Sequence, residues 1–282
     1  MTASATILRR AAALVALTAG LATAGGAAAQ STLEEARESG FVRAAFANEA
    51  PFGFATPAGE LTGESPEIAK EIFSRLGVPE VDGVLTEWAS LIPGLNAGRF
   101  DLIAAGMFIT PERCEQVAFS NPTYRLGQAF LVQAGNPMAL HSYEDVAANP
   151  DVTLGVMAGA VERGYAEDAG IPDDQITELP DQASMLAAGR VDAAALTALS
   201  IQRMAEQGGD AVERATPFTT PEGAQGYGAF AFRKEDEALL QAFNEELATF
   251  IGSPEHLELV REFGFTEQEL PGDVTAEELC QG

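Results

Sequence analysis

The 282-residue sequence is poor in cysteine, histidine, tryptophan and basic residues. It has two cysteines, two histidines and one tryptophan, and its 16 lysines and arginines stand against 42 aspartates and glutamates, for a net charge of −26. Such an acidic surface repels nucleic acid and anionic membranes, so we expect neither as a partner. His141 and His256 are isolated, and neither has a metal ligand at helical spacing. We therefore expect no metal and no cofactor.

Long hydrophobic runs are also missing, except near the N-terminus. Arg9 and Arg10 precede an apolar stretch at residues 11–24, and three alanines at 27–29 precede Gln30. This order is typical of a cleavable secretory signal, which predicts a signal peptide over residues 1–29. The apolar stretch is too short to span a bilayer and no second one follows, so we expect a soluble, exported chain. The paired arginines leave the general and the twin-arginine export routes open.

Cysteine usage bears on the compartment and on the covalent structure. No cysteine lies near the cleavage site, which argues against an acylated N-terminus and favours the periplasm of a two-membrane bacterium. Two cysteines in an exported protein suggest one bridge. The sequence therefore predicts a disulfide between Cys114 and Cys280.

After the signal, short β-rich runs alternate with helical patterns, which predicts an α/β fold. The β-rich runs lie at residues 41–46, 81–85, 102–105, 153–156, 176–179 and 193–196. One helix is predicted to start with Ser65 as its N-cap and to end at Gly77, another covers 91–97, and the longest covers 235–251.

Two extended apolar segments, at 128–133 and 228–233, bracket a block with its own strand–helix alternation. A chain that leaves one lobe, builds a second and returns needs two such crossings. We therefore predict that residues 30–132 and 233–282 form lobe one and that residues 133–232 form lobe two. A ligand would bind in the cleft between them.

A polar motif follows the β-rich run at 102–105, where Gly106 leads to Thr110 and Arg113. Residues 97–122 resemble the polar-amino-acid-binding family of periplasmic proteins, and the resemblance covers essentially the whole mature chain. It implies a two-lobed periplasmic-binding-protein (Venus-flytrap) fold, with two α/β lobes joined by a two-strand hinge. It also implies that Thr110 and Arg113 hold a ligand carboxylate, for which a guanidinium has matching geometry. The alternative is that Arg113 pairs at the surface with Glu112 or Glu115.

The second half departs from the amino-acid-binding pattern of that family. Its members usually have an aspartate, which receives the ligand ammonium, five residues after a Gly-Arg-x-Asp-Ala motif; here residues 189–193 lead instead to Thr197. The usual Gly-Thr turn reads Gly-Ala-Val-Glu over residues 159–162. The sequence thus predicts that the cation of the ligand is held differently.

Three aromatic residues supply an alternative. Phe52, Trp88 and Phe108 lie in loops or at strand ends, where open α/β sheets bind ligands. Taken singly, each ring is better explained as part of a core. Together, beside Arg113, they predict a cage for a delocalised or alkylated cation.

With Glu49 added, this set resembles the ectoine- and hydroxyectoine-binding members of the family. The resemblance implies a monomer that passes a small zwitterion to the membrane subunits of an ABC importer and catalyses nothing. Glu49 and Glu162 would accept hydrogen bonds from the cyclic amidinium, unless they are merely solvated acids. A polar amino acid or a betaine as ligand, a dehydratase using Glu49 or Glu162 as general acid, and a sensory receptor lobe are the alternatives.

Overall fold

The computed structural model describes residues 31–179, 182–221 and 223–281, which form two α/β lobes. The predicted signal segment and Gln30 lie outside the described residues. The strands are β1 (Phe41–Phe46), β2 (Phe54–Ala55), β3 (Leu61–Thr62), β4 (Glu80–Leu85), β5 (Leu102–Phe108), β6 (Ala118–Phe119), β7 (Tyr124–Leu126), β8 (Gln128–Gln133), β9 (Leu154–Val156), β10 (Ile176–Glu178), β11 (Ala193–Thr197), β12 (Val212–Arg214) and β13 (Gly226–Phe232).

The helices alternate with these strands. They are α1 (Thr32–Ser39), α2 (Glu64–Arg75), α3 (Leu91–Asn96), α4 (Pro111–Cys114), α5 (Tyr143–Ala147), α6 (Glu162–Asp168), α7 (Gln182–Ala187), α8 (Ala198–Gly208), α9 (Glu237–Phe250), α10 (Pro254–Val260) and α11 (Ala276–Gln281). Within the described ranges, no helix combines the length and the apolar character needed to cross a membrane.

The first lobe is built on a six-stranded sheet in the order β4-β1-β5-β13-β6, with β7 also paired to β13. Strands β4, β1 and β5 run parallel, whereas β13 is antiparallel to β5. Apolar side chains bury both faces: α2 and α9 cover one through Phe73 and Phe243, and α3 covers the other through Leu91 and Leu95. Because the parallel strands end at one edge, residues that follow them come together there.

The second lobe is built on a five-stranded sheet in the order β10-β9-β11-β8-β12. Strands β10, β9 and β11 are parallel, and β8 is antiparallel to β11 and β12. One face packs against α5 through Phe130 and Tyr143, and the other packs against α7 and α8 through Leu186 and Ile201. The two-lobed α/β fold is as predicted.

Two local predictions were wrong. The N-cap of α2 is Gly63, not Ser65, and Ser65 lies inside the first turn, where its hydroxyl donates to the Glu64 carboxylate at 2.6 Å. The β-rich run predicted at 102–105 is longer in the structure, where strand β5 continues past Gly106 to Phe108. Gly106 adopts a φ of +64°, and the pairing with β13 shifts register here without stopping.

The chain passes between the lobes at two places. Strand β7 pairs within the first sheet and β8 within the second, and the return lies between β12 and β13. The apolar segments at 128–133 and 228–233 are buried by sheet pairing, which explains why they are apolar. We therefore propose one crossing at residue 127 and the other between the end of β12 and the start of β13, both before the predicted boundaries at 132/133 and 232/233.

The C-terminal helix α11 is fixed to the first lobe. Cys280 in α11 is bonded to Cys114 at the end of α4, with their Cα atoms 5.7 Å apart. The structure thus contains the predicted disulfide, one residue after Arg113.

Candidate functional site

A small cavity lies where the two lobes meet. It is lined from the first lobe by Glu49, Phe52, Trp88, Gly106, Phe108 and Arg113, and from the second by Ala160, Val161, Glu162, Leu196 and Thr197. Seven of the eight predicted site residues therefore surround one space between the lobes. The eighth, Thr110, lines the outer part of the cleft.

The sheet topology explains this convergence. Glu49 and Phe52 follow β1, Trp88 follows β4 in a short 3-10 turn (Trp88–Ser90), and Phe108 is the last residue of β5. These three strands are parallel neighbours, so their carboxyl ends present the side chains at one edge. From the second lobe, Thr197 ends β11 and Glu162 begins α6.

Arg113 is held in place by backbone carbonyls from both lobes. Its Nη1 donates to the carbonyl of Phe108 at 2.8 Å, and its Nη2 donates to that of Gly159 at 3.2 Å. The side chain is only 8% exposed, and none of the ion pairs of the described residues involves it, so the alternative of a surface pair is wrong. Its remaining N–H groups can donate to a carboxylate.

Thr110 holds the backbone of Arg113 rather than standing only beside a ligand. It is the N-cap of α4, and its hydroxyl accepts a hydrogen bond from the backbone N–H of Arg113 at 3.3 Å. This contact fixes the start of the turn that carries the guanidinium.

The predicted aromatic residues occupy two different positions. Phe52 and Phe108 are buried and form the floor of the cavity. They pack against Tyr124, whose ring centroid lies 5.1 Å from that of Phe52 and 6.2 Å from that of Phe108. Trp88 is partly exposed at the mouth, where its Nε1 donates to the Gly159 carbonyl at 3.3 Å. The Cζ atom of Arg113 lies 5.7 Å from its ring centroid.

Glycine makes room for this aromatic floor. A Cβ atom at Gly106 would lie 2.6 Å from Phe52 Cδ1 and from the Tyr124 hydroxyl, and one at Gly226 would lie 1.9 Å from Phe108 Cε2. These rings can therefore sit against the sheet only where the backbone has no side chain.

Two buried carboxyl groups face the cavity, one from each lobe. Glu49 is 8% exposed and accepts from the Ser200 hydroxyl at 2.7 Å. Glu162 is 2% exposed; with the Gln128 amide oriented so that its nitrogen faces acceptors, that nitrogen donates to Glu162 Oε1 at 2.9 Å. Burial raises the pKa of each group to about 7; the Ser200 bond opposes this for Glu49, and Arg113 is among the groups that oppose it for Glu162. The reading of these two as solvated surface acids is wrong.

Two polar atoms of the second lobe stand out. Glu162 Oε2 and Thr197 Oγ1 are buried, and neither has a hydrogen-bond partner in the described part of the chain. An unpaired buried polar atom is costly, so both are suited to hydrogen-bond a ligand in the cavity.

Sequence reasoning missed Tyr124, Gln128 and Ser200. Gln128 carried a signal, because it is a polar residue in an otherwise apolar run and is 2% exposed in β8. Nothing in the sequence marks Ser200, which reaches Glu49 only when the lobes meet. No group of three or more His, Cys, Asp or Glu residues that could hold a metal occurs within residues 31–179, 182–221 and 223–281.

Comparisons with known proteins agree with this geometry. Residues 42–266 match the bacterial extracellular solute-binding proteins, family 3. A probable amino-acid ABC transporter periplasmic-binding protein of Sinorhizobium fredii (strain NBRC 101917 / NGR234) is 40% identical over 260 residues, which cover 88% of this chain and 86% of that protein.

Solved structures are also similar. EhuB in complex with hydroxyectoine has a TM-score of 0.82 and 41% identity, covering 88% of this chain and 97% of that one. An ancestral amino acid-binding protein, a precursor of cyclohexadienyl dehydratase, has a TM-score of 0.73 and 29% identity, covering 83% of this chain and 99% of that one.

Proposed function

The chain belongs to family 3 of the bacterial extracellular solute-binding proteins, and from this premise we propose that it captures ectoine-like zwitterions in the periplasm for an ABC importer. In this proposal it acts as a monomer, catalyses no reaction and delivers its solute to the membrane subunits. The similarity to a structure that holds hydroxyectoine and to a probable amino-acid transporter component supports this solute class.

The proposal rests on one observation: a single cavity brings together one guanidinium, an aromatic floor and two carboxyl groups. The ligand carboxylate would bind Arg113, with Thr110 beside it. A cyclic amidinium would lie against the rings of Phe52 and Phe108, because a delocalised cation is attracted to aromatic faces. Its N–H groups would donate to Glu49 and Glu162.

The second lobe argues against an ordinary amino acid. A primary ammonium needs several acceptors when it loses its water, and Thr197 offers a hydroxyl where the family pattern has a carboxylate. Glu162 remains as an anion, so an amino acid with a delocalised cation is the competing ligand.

Capture requires the lobes to close. The contacts across the cleft come from both sides of the cavity: Ser200 to Glu49, and Trp88 and Arg113 to the carbonyl of Gly159. A ligand that bridges Arg113 of the first lobe and Glu162 of the second adds to these contacts and shifts the population toward the closed form.

A calorimetric titration of refolded protein with ectoine, hydroxyectoine, glycine betaine, arginine and histidine tests the solute class. We expect ectoine or hydroxyectoine to bind more tightly than the other three. Tight binding of histidine or arginine without ectoine binding would instead place the chain among the amino-acid binders.

Trp88, whose ring lies beside Arg113 at the mouth of the cavity, provides a variant that tests its own contribution to binding. Trp88→Ala should weaken ectoine binding by about 1–2 kcal/mol, and Trp88→Phe by less, because a ring face remains. Since Trp88 is partly exposed, melting temperatures of both variants should stay close to that of the parent protein. A lowered melting temperature with unchanged affinity would assign Trp88 a structural role only.

A further inference from the structure

The hydroxyl of Ser200 lies between two oxygen atoms of the opposite lobe. It is 2.7 Å from Glu49 Oε1 and 3.2 Å from the carbonyl oxygen of Ala50. Ser200 is completely buried. A serine hydroxyl has one hydrogen to donate, so it cannot make a full hydrogen bond to both acceptors.

A neutral Glu49 resolves this conflict. When Glu49 is protonated, its hydrogen bond with Ser200 reverses: the carboxyl O–H donates to Ser200 Oγ, and the Ser200 hydroxyl then donates to the carbonyl of Ala50. Ser200 Oγ and the Ala50 carbonyl oxygen then each have a hydrogen-bond partner, and the second oxygen of Glu49 remains an acceptor for a ligand N–H. A charged Glu49 would leave one of the two contacts without a hydrogen.

The charges that face the cavity support the same assignment. Among the described residues that line it, Arg113 is the single cation and Glu49 and Glu162 are the acids. A zwitterion adds no net charge, so the closed cavity is neutral only if one carboxyl keeps a proton. An uncompensated buried charge is expensive, which favours that state.

Of the two carboxyl groups, Glu162 is the better anion. Arg113 and the Gln128 amide both stabilise its charged form, whereas Glu49 has only the Ser200 hydroxyl. The other titratable groups that interact with Glu49 are Glu162 itself and Tyr124, and the pKa of Tyr124 lies well above its ordinary range because that side chain is buried.

We propose that Glu49 enters the closed cleft as a neutral carboxylic acid bonded to Ser200, so that capture of a zwitterion takes up one proton. This inference rests on the proposed function and adds a proton to its stoichiometry.

The pH window follows from the position of Glu49. Burial raises its pKa from 4.5 to about 7 when the lobes are together, and a solvated Glu49 in an open cleft titrates near its ordinary value. The proton therefore favours closure fully below about pH 4.5, and its contribution is lost as the pH rises through about 7. Within that window affinity should fall by nearly tenfold per pH unit.

The test is a titration with ectoine at pH 6 in two buffers of different ionisation enthalpy. The difference in heat gives the number of protons exchanged, and we expect an uptake approaching one, together with the fall in affinity from pH 5 to 7. Tight binding without proton uptake and without pH dependence would overturn the inference while leaving the proposed function intact.

Three variants locate the proton. Glu49→Gln, whose amide is neutral and can donate to Ser200, should lose the uptake and flatten the pH dependence. Glu162→Gln should bind more than tenfold more weakly, and because it leaves Arg113 and Glu49 as the charged groups of the cavity, its proton uptake should be smaller than that of the parent protein. Glu64→Gln, which removes another buried glutamate outside the cavity, should keep the proton uptake and the pH dependence of binding. A pH dependence that survives in Glu49→Gln would contradict the assignment.

Failure of the proposed function gives a different result. If ectoine does not bind but another zwitterion of the panel does, the two-buffer titration is made with that solute, and uptake of one proton still supports the role of Glu49. If no member binds, both proposals fall.

Discussion

The guanidinium of Arg113 is oriented before any ligand arrives. Within the first lobe, the carbonyl of Phe108 takes one of its N–H groups, and the Thr110 cap fixes the backbone beneath it. A donor held in this way loses little conformational freedom on binding, which increases the affinity that each new hydrogen bond contributes.

Arg113→Ala should therefore weaken binding of the zwitterion by about 2–5 kcal/mol, the usual range for losing one partner of a buried charge pair. Arg113→Lys should also weaken it strongly, because an ammonium cannot reproduce the two-pronged geometry. Calorimetric titration measures both changes. Arg99→Ala, at an exposed arginine of the same lobe, is the control and should bind like the parent protein. Unchanged affinity in Arg113→Ala would remove this residue from the site.

At this scale, the sequence predicted the residues that follow strands better than those that support them. Glu49, Phe52 and Trp88 could be found because they come directly after β-rich runs, and parallel strands bring such positions together. Tyr124 and Ser200 could not, because their roles arise from contacts between segments distant in the chain: Tyr124 lies under Phe52, and Ser200 meets Glu49 across the cleft.

Among the elements, α4 and α11 are joined by the Cys114–Cys280 bond. The two cysteines are 166 residues apart, so the bond closes a long loop of the unfolded chain. In the chain-entropy view this stabilises the fold by up to about 5 kcal/mol. Because Cys114 follows Arg113 directly, the bond also anchors the turn that carries the guanidinium.

Reduction, or the double change Cys114→Ser with Cys280→Ser, should lower the free energy of unfolding substantially and the ligand affinity only modestly. Denaturant titrations before and after reduction measure the first effect, and calorimetry measures the second. Thiol titration of the unreduced, denatured protein should find no free cysteine. Two free thiols in that experiment would contradict the bond.

Strand positions were predictable because apolar β-rich runs bounded by turn residues are a strong local signal, as in β1 and β4. The crossings between the lobes were less predictable from the sequence. The segments that form β8 and β13 have the apolar character of sheet strands, and sequence alone does not say which sheet each one joins. The cap of α2 was misplaced for a related reason: Ser65 has the right chemistry, but its hydroxyl bonds to Glu64 instead.

The stability of the whole molecule should depend on pH through a third buried carboxyl group. Glu64 is 1% exposed within the first lobe and accepts from Ser65 at 2.6 Å and from Thr123 at 2.7 Å. Burial raises its pKa to about 7, and the two hydroxyl bonds oppose the rise. Since the folded pKa lies above the unfolded value of 4.5, the stabilisation is complete below about pH 4.5 and is lost as the pH rises through about 7.

Denaturant unfolding between pH 5 and 8 should show this loss, with a slope from Glu64 approaching about 1.4 kcal/mol per pH unit inside the window. Glu64→Gln should reduce the slope, because a neutral amide does not titrate. Equal slopes in the variant and the parent protein would show that Glu64 is not the group responsible.

The carbonyl oxygen of Gly159 has a consequence for the timing of transport. It accepts hydrogen bonds from Trp88 at 3.3 Å and from Arg113 at 3.2 Å, so two side chains of the first lobe release it together when the cleft opens. The rate of first encounter with a solute is limited by diffusion to the open cleft, whereas escape must wait for this shared contact to break. The dwell time of the solute therefore depends in part on one backbone atom, and the dwell time decides whether the solute is still bound when the protein reaches the membrane.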